Sequence, residues 1–322
     1  MKHFLMLAAA LAPATPAAAR SVKPAARPAE VKLVDLTDDF DHLWTETSAL
    51  PDSSRAVEFK RRFATVLPGF YDERRFGSAA TDYDTRLLKK LKAYPDSRDG
   101  IRRVSTEFQA RFRPALASFS RYFGPMAGYP PIYLVNSLGE FDGGTRALPE
   151  GTRLLFGADV IDKLYRREPI EPFFHHELFH LYHHAHAFPE CEQGWCAIWT
   201  EGLAVYVGAT LNPKAGDQAL LLNFPRPIRP AVDGNLPVAV CTVRARLEST
   251  SFDDYRALFT GDGNPPDPAL PKRYGYYVGY LVAKDLGRTR TLKQLAALKP
   301  EEVRPLIEAS LARMATCNQP KQ

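Results

Sequence analysis

Long apolar runs and a large excess of one charge are both missing from this chain of 322 residues. No apolar run reaches the roughly 18–20 residues that a helix needs to span a bilayer. With 42 Lys and Arg residues against 37 Asp and Glu, the net charge is only +5, which gives a nucleic-acid partner little support. A hydrophobic fraction of 45% excludes collagen-like and wholly disordered chains and predicts a soluble globular protein.

The first 30 residues are not expected to belong to the folded domain. A short basic start is followed by an apolar stretch over residues 4–12 and by the small residues Ala17–Ala19. This order is typical of a secretory signal peptide, so we expect residues 1–19 to be removed and residues 20–30 to form a flexible lead-in. The sequence therefore predicts an exported protein, periplasmic or secreted. The alternative is a disordered Ala/Pro-rich tail on a cytosolic protein.

Cysteine is scarce, with four residues in the chain. In an exported protein, four cysteines predict two disulfides. The simplest assignment pairs Cys191 with Cys196 across a small loop, which leaves Cys241 to pair with Cys317. Three connectivities are open on the sequence alone. The two-residue spacing of zinc ribbons is absent, which disfavours a structural cysteine-rich metal site.

Helical periodicity dominates the N-terminal third of the chain. Apolar residues recur at helical spacing between Leu36 and Phe123, and we assign residues 31–125 to a helical N-terminal part. Pro114 lies within the longest of these apolar stripes and is expected to kink or split its helix.

The residue pattern then changes from helical to strand-like over a short stretch. Residues 131–135 and 152–157 have strand character, and a turn-rich segment at 139–144 joins them. From Glu171 onward the pattern is helical again. The prediction is an α+β fold, predominantly helical, in which residues 126–322 carry a small sheet or hairpin and form one compact unit with the preceding helices.

Six of the eight histidines fall in residues 175–186, and among them stands His-Glu-Leu-Phe-His, an H-E-x-x-H pattern starting at His176. On a helix, His176 and His180 lie one turn apart on the same face and can bind one Zn²⁺ together. Glu177 is turned by about 100° from His176. It can therefore reach a zinc-activated water and act as its general base.

A catalytic zinc site needs a third protein ligand, and Glu201 is the first candidate. Here the chain resembles the gluzincins, zinc peptidases in which H-E-x-x-H is followed some twenty residues later by a Glu on a second helix. Twenty residues separate His180 from Glu201, and the Glu-Gly-Leu-Ala context is similar to that of several such families. The resemblance is closest to uncharacterised bacterial predicted zinc-dependent proteases. It implies a zincin-like fold and one Zn²⁺ bound by His176, His180 and Glu201.

The second candidate for the third ligand is His186. Its spacing from His180 matches the metzincin pattern, H-E-x-x-H-x-x-G-x-x-H, but this chain has His183 where that pattern needs glycine. A downstream methionine for the metzincin Met-turn is also missing, since Met314 lies very near the end. A metzincin-like peptidase therefore remains the lesser alternative. We expect His183 to contact substrate or a neighbouring group, and His175 and His184 to face solvent or neighbouring helices.

A zinc peptidase also needs a hydrogen-bond donor for its oxyanion. In the aminopeptidase branch of the gluzincins, a Tyr-x-x-Gly segment supplies that donor. Tyr276-Tyr277-Val278-Gly279 is similar, 75 residues after Glu201, and implies a catalytic role for Tyr276. The alternative is that these tyrosines only pack a helix face.

Two features of the resembled families are absent. The Gly-Ala-Met-Glu-Asn motif of the aminopeptidases is missing, so recognition of a substrate N-terminus is not implied, although Leu154–Gly157 could serve as an edge strand that pairs with a peptide. Val205 stands where thermolysin-like enzymes have an Asp that orients a ligand histidine.

The function predicted is an exported zinc-dependent peptidase that acts on a peptide or protein substrate. The alternative that is not an enzyme is a periplasmic protein with a peptidase-like scaffold. Such a protein would bind metal or a partner, and its histidine run would act as a metal buffer. Internal or terminal cleavage and the oligomeric state are left open.

Overall fold

A computed structural model describes residues 30–165, 168–186, 188 and 191–317, without the side chains of residues 78–81. The signal peptide expected at residues 1–19 and nearly all of the lead-in at 20–30 lie outside the described residues. Within the described part, no helix is both long and apolar enough to cross a bilayer.

The architecture is α+β and predominantly helical, with one small mixed sheet, as the sequence predicts. The strands are β1 (Leu33–Asp35), β2 (Ile132–Val135), β3 (Gly143–Leu148) and β4 (Gly151–Gly157). The helices are α1 (Thr37–Glu46), α2 (Asp52–Val66), α3 (Tyr83–Phe123), α4 (Ala158–Tyr165), α5 (Glu171–His186), α6 (Gly194–Leu211), α7 (Arg229–Asp233), α8 (Leu236–Arg244), α9 (Phe252–Phe259), α10 (Tyr274–Leu286), α11 (Leu292–Ala296) and α12 (Pro300–Met314), and a 3-10 helix at Glu73–Asp82 precedes α3.

The four strands are arranged in the order β1-β2-β4-β3. β2 pairs in parallel with β1 and β4, while β3 pairs antiparallel with β4 through a tight hairpin. The predicted N-terminal helical part therefore also contributes a strand, which is too short for its periodicity to be read. The predicted edge strand is wrong as well: Leu154–Gly157 lies in β4 between two partners, and β3, whose start falls in the supposed turn, forms the edge.

Pro114 does not split its helix, because α3 runs unbroken through both Pro95 and Pro114. A proline inside a helix removes one backbone hydrogen bond and strains the preceding turn. Burial of the aromatic stripe on this helix offsets that cost, since Phe108, Phe112 and Phe119 are all buried.

Helices α3 and α5 meet the sheet at Phe156 of β4. Its ring centroid lies 4.9 Å from that of Phe108 on α3 and 5.4 Å from that of Phe174 on α5. Phe156 is fully buried, so this aromatic cluster fixes α5 beneath the β3–β4 hairpin.

A second contact brings α6 and α10 together at a pair of glycines. A Cβ atom at Gly202 would lie 2.1 Å from the carbonyl carbon of Gly279, and one at Gly279 would lie 2.4 Å from the oxygen of Ile198. The two backbones can approach this closely only because neither residue has a side chain. Glu201 and the first turn of α10 are thereby held side by side.

Both disulfides pair as the simplest assignment predicts. Cys191 is bonded to Cys196 at the start of α6, and Cys241 on α8 is bonded to Cys317 after α12. Two disulfides fit an oxidising, exported environment.

Candidate active site

Helix α5 carries the H-E-x-x-H pattern. Glu171 and Pro172 form its first turn, where an acidic group and a proline are both favourable. The helix continues to His186, so His176 and His180 lie on one face with their ring centroids 4.7 Å apart. The helical spacing inferred from the sequence is therefore realised.

Helix α6 brings Glu201 to the same place. This helix is apolar on all sides, and Glu201 is its one charged residue. A helix of that composition is expected to be buried, and Trp199, Leu203 and Ala204 on it are fully inaccessible. A single carboxylate in such a helix is costly unless it is paired or binds a cation.

The three side chains form a triangle of ligand atoms. The Nε2 atoms of His176 and His180 are 3.0 Å apart, and Glu201 Oε2 lies 3.4 Å from each. Two ligands bound tetrahedrally to Zn²⁺ at about 2.0–2.1 Å are separated by about 3.3 Å. These distances match the edges of such a tetrahedron, so the donor set fits a zinc ion with a fourth position left for water or substrate. Within the described ranges this is the group of His, Cys, Asp and Glu side chains that could hold a metal ion.

The charges in this triangle are strongly coupled. Burial lowers the pKa of His176, whereas for His180 the effect of burial is outweighed by Glu201, which raises the pKa. Burial would raise the pKa of Glu201, but the charge of His180 and hydrogen bonds from both histidines lower it. These interactions favour the ionised form of Glu201, which is the form that a metal ligand requires.

Glu177 lies beside the triangle but outside it. It is 6% exposed, and burial raises its pKa to about 8; His180 opposes this rise, while Asp142 and Glu201 add to it. A carboxylate with a pKa near neutrality is suited to accept and return a proton.

The edge strand β3 passes directly over Glu177. A Cβ atom at Gly143 would lie 2.7 Å from the ring of Phe173 and 3.0 Å from the Glu177 carboxylate carbon. Any larger residue at 143 would displace the carboxylate or the strand. The glycine thus allows the strand backbone to border the Glu177 carboxylate.

Tyr276, at the start of α10, lies on the other side of the triangle. Its ring centroid is 6.3 Å from that of His176 and 5.5 Å from that of Phe259. Burial and the nearby charge of Glu201 raise its pKa well above the usual value, which keeps the phenol protonated and able to donate a hydrogen bond. This position is compatible with the predicted role as a hydrogen-bond donor to an oxyanion. It is equally compatible with a role limited to packing against Phe259.

The remaining histidines of α5 have other partners. His186 contacts the Tyr129 hydroxyl through Nδ1 at 2.9 Å and stacks on Tyr182, so the structure brings Glu201, and not His186, to the ligand pair. His183 is 2% exposed between the rings of Phe179 and Phe188. The helix continues through it without the turn that a metzincin requires.

His175 does not face solvent. It is 2% exposed and lies within hydrogen-bond distance of Ser118 on α3 and of Asn212 after α6. Of the two surroundings expected for His175, solvent or a neighbouring helix, the structure shows the neighbouring helix.

A cavity of about 800 Å³ opens onto the ligand triangle. Strand β3 borders one side, and the first turn of α9 borders another, where Phe252 is 71% exposed and stacks on Tyr255. The Cys191–Cys196 disulfide lines the rim between the two ligand helices. A volume of about 800 Å³ lies in the range of ligand pockets, and the walls are both polar and aromatic.

Three residues of this cavity are missed by the sequence analysis: Arg146 on β3, Tyr255 on α9 and Arg273 before α10. None belongs to a motif, and arginine and tyrosine are common on ordinary surfaces. Only the tertiary arrangement shows that they share a cavity with Glu177.

Comparisons with known proteins give no match for this chain. No protein-family model, curated protein or solved structure matches the chain. The likeness to gluzincins is therefore carried by the motif residues themselves, and the chemistry of the site is argued from their positions.

Proposed function

We propose that this chain is an exported zinc peptidase of the gluzincin type, with a zincin-like catalytic part. The observation that carries the proposal is the ligand triangle of His176, His180 and Glu201, with Glu177 beside it at the base of a peptide-sized cavity. Three protein ligands and an open fourth position are typical of catalytic zinc, whereas structural zinc sites are closed.

Each group would have a distinct task in the hydrolysis. Zn²⁺ bound by the triangle would supply a Lewis acid that polarises the scissile carbonyl and lowers the pKa of a water molecule. Glu177 accepts the proton of the attacking water and passes it to the leaving amine nitrogen. Tyr276 donates a hydrogen bond to the oxygen that becomes negative as the water adds.

The edge strand β3 supplies the means to hold an extended substrate. Its outer edge has no strand partner in the described part, and Gly143–Arg146 lines the cavity. A peptide that pairs with this edge would place its backbone across Glu177, because Gly143 lies against that carboxylate.

The metal-buffer alternative has less support from the other histidines. A buffer needs exposed side chains that bind several ions weakly, whereas His175 and His183 are buried against neighbouring side chains. An intact Glu177 also has no task in metal storage.

Metal analysis of the purified mature chain tests the proposal directly. We expect about one zinc per chain in the wild type, retention of zinc in Glu177→Gln, and loss of zinc in Glu201→Ala. Glu192→Ala is the matched control, since this carboxylate lines the same cavity outside the triangle, and it should keep its zinc.

Peptide hydrolysis completes the test. Glu177→Gln should lose nearly all hydrolysis of a mixed peptide library while its zinc content stays at the wild-type level. Several weakly bound ions per chain, or a Glu177→Gln variant as active as the wild type, would favour the non-catalytic alternative. Full zinc occupancy in Glu201→Ala would remove Glu201 as a ligand.

A further inference from the structure

Three arginines line the cavity above the ligand triangle, and their ion pairs differ. Arg246 binds Asp254 with an Nε–Oδ1 distance of 2.8 Å. Arg146 lies 3.9 Å from Glu140, a carboxylate that Arg75 also binds with two hydrogen bonds. Arg273 has no carboxylate oxygen within 4.0 Å among the residues that the structure describes.

Arg273 is nevertheless a buried residue. It is 9% exposed, and its guanidinium carbon lies 4.6 Å from the ring centroid of Tyr276 and 5.8 Å from that of Phe224. Asp142, an acid of the same cavity, accepts hydrogen bonds from the Tyr165 hydroxyl and the Gly143 amide instead. Two aromatic faces offset only part of the cost of burying a cation without a counterion.

We propose that Arg273 binds a carboxylate of the peptide substrate, so that the enzyme selects peptides that carry a negative charge next to the bond that is cleaved. This inference rests on the proposed peptidase function. The planar guanidinium fork matches a carboxylate with two parallel hydrogen bonds, and shielding from solvent strengthens that pairing.

The position of Arg273 limits which carboxylate it can reach. Its guanidinium stacks on Tyr276, whose ring lies 6.3 Å from that of His176. An extended peptide spans about 3.3–3.6 Å per residue, so the bound carboxylate belongs within a few residues of the scissile bond. It is either the C-terminal carboxylate or the side chain of an Asp or Glu, and these two sources require separate tests.

Affinity selection distinguishes these sources without any need for turnover. Zinc-free Glu177→Gln protein is immobilised and exposed to equimolar synthetic hexapeptides with free or amidated C-termini, each with either Glu or Gln at the internal positions. Mass spectrometry then measures which peptides are retained. We expect at least about tenfold enrichment of one carboxylate-bearing form over its neutral partner, equivalent to about 1.4 kcal/mol.

The Arg273→Gln substitution, made in the same background, should reduce that enrichment to about one. Arg288→Gln is the matched control, since Arg288 follows α10 at its far end with an 80% exposed side chain, and it should keep the enrichment. Enrichment of the free acid over the amide identifies the C-terminus as the bound group, and enrichment of Glu over Gln identifies an acidic side chain.

Two results would overturn the inference: no preference for either carboxylate in the parent protein, or a preference that Arg273→Gln leaves intact. If Arg273→Gln does not fold, Arg273→Lys replaces it. An ammonium group cannot form the two parallel hydrogen bonds of a guanidinium. Unchanged enrichment in Arg273→Lys would therefore equally overturn the inference. If binding depends on Arg273 while the zinc-loaded wild type cleaves none of the peptides, the peptidase proposal fails and the carboxylate site stands.

Discussion

At the scale of single residues, the site combines side chains whose chemical roles differ because their surroundings differ. Glu177 is a buried carboxylate and Glu201 a half-buried one, and both line one cavity. Two histidines keep Glu201 ionised, whereas burial raises the pKa of Glu177. The same residue type can thus act as a metal ligand in one position and as a proton acceptor in the other.

The phenol of Tyr276 provides the sharpest test of transition-state stabilisation. Tyr276→Phe removes only the hydroxyl, so kcat should fall by about 10²-fold with little change in KM. Tyr277→Phe is the matched control, because that hydroxyl donates to Asp233 at 2.9 Å and lies outside the cavity lining. If kcat of Tyr276→Phe stays within a few-fold of the wild type, the tyrosine only packs against α9.

A buried histidine makes the stability of the fold sensitive to pH. Burial lowers the pKa of His183 to about 3, below the value near 6.5 that it has when unfolded. The folded protein then binds fewer protons than the unfolded chain, so this contribution to stability is complete above pH 6.5 and is lost as the pH falls toward 3.

His183→Phe keeps an aromatic ring between Phe179 and Phe188 but removes the titration. Between pH 7 and pH 5 the free energy of unfolding should fall by about 2 kcal/mol more in the wild type than in the variant. Urea denaturation at the two pH values measures the difference. An equal fall in both proteins would show that His183 titrates normally.

At the scale of secondary-structure elements, the crossing of α6 and α10 determines how Glu201, the proposed metal ligand, lies relative to Tyr276. The contact between Gly202 and Gly279 leaves no room for a methyl group. The sequence shows these glycines as part of Glu-Gly and Tyr-x-x-Gly motifs, but their packing partners become evident only in the structure.

Gly202→Ala should therefore separate the two helices. We expect it to lower the free energy of unfolding by about 2–3 kcal/mol, since overpacking costs more than the better helix propensity of alanine restores. Zinc affinity should fall in parallel, because Glu201 is the adjacent residue. Gly216→Ala, at an exposed position with no atom within 4 Å of the added methyl, should change stability by less than about 0.5 kcal/mol. Comparable losses in the two variants would contradict the crossing described here.

At the scale of the complete fold, the two disulfides stabilise different parts of the protein. Cys241–Cys317 joins residues 76 apart in sequence and ties α8 to the segment after α12, whereas Cys191–Cys196 closes a loop of only a few residues at the cavity rim. The loss of chain entropy in the unfolded state grows with the length of the closed loop.

Replacement of Cys241 and Cys317 by serine together should lower the free energy of unfolding by about 4 kcal/mol, and replacement of Cys191 and Cys196 by about 2 kcal/mol. Urea denaturation of the two double variants gives the comparison. The Cys191–Cys196 loop borders α5 and α6. Loss of this disulfide is therefore expected to weaken zinc binding by more than it lowers the free energy of unfolding. A larger loss of stability from the short loop would contradict this ranking.

Features that depend on neighbours along the chain could be predicted without the structure. The ligand pair on α5 follows from the helical repeat, and the α+β class follows from the alternation of apolar spacing. Proximity in the chain favours the pairing of Cys191 with Cys196, but the structure is needed to choose among the three connectivities that four cysteines allow.

Contacts between residues that are distant in sequence could not be predicted and became evident from the packing of the elements. Strand β1 is too short to be recognised until β2 pairs with it, and Pro114 fails to break α3 because burial of the surrounding rings compensates for its lost hydrogen bond. The choice of Glu201 over His186 depends on how α6 returns to α5. The approach of Arg273 to the cavity likewise depends on packing between elements, a long-range property that local periodicity does not encode.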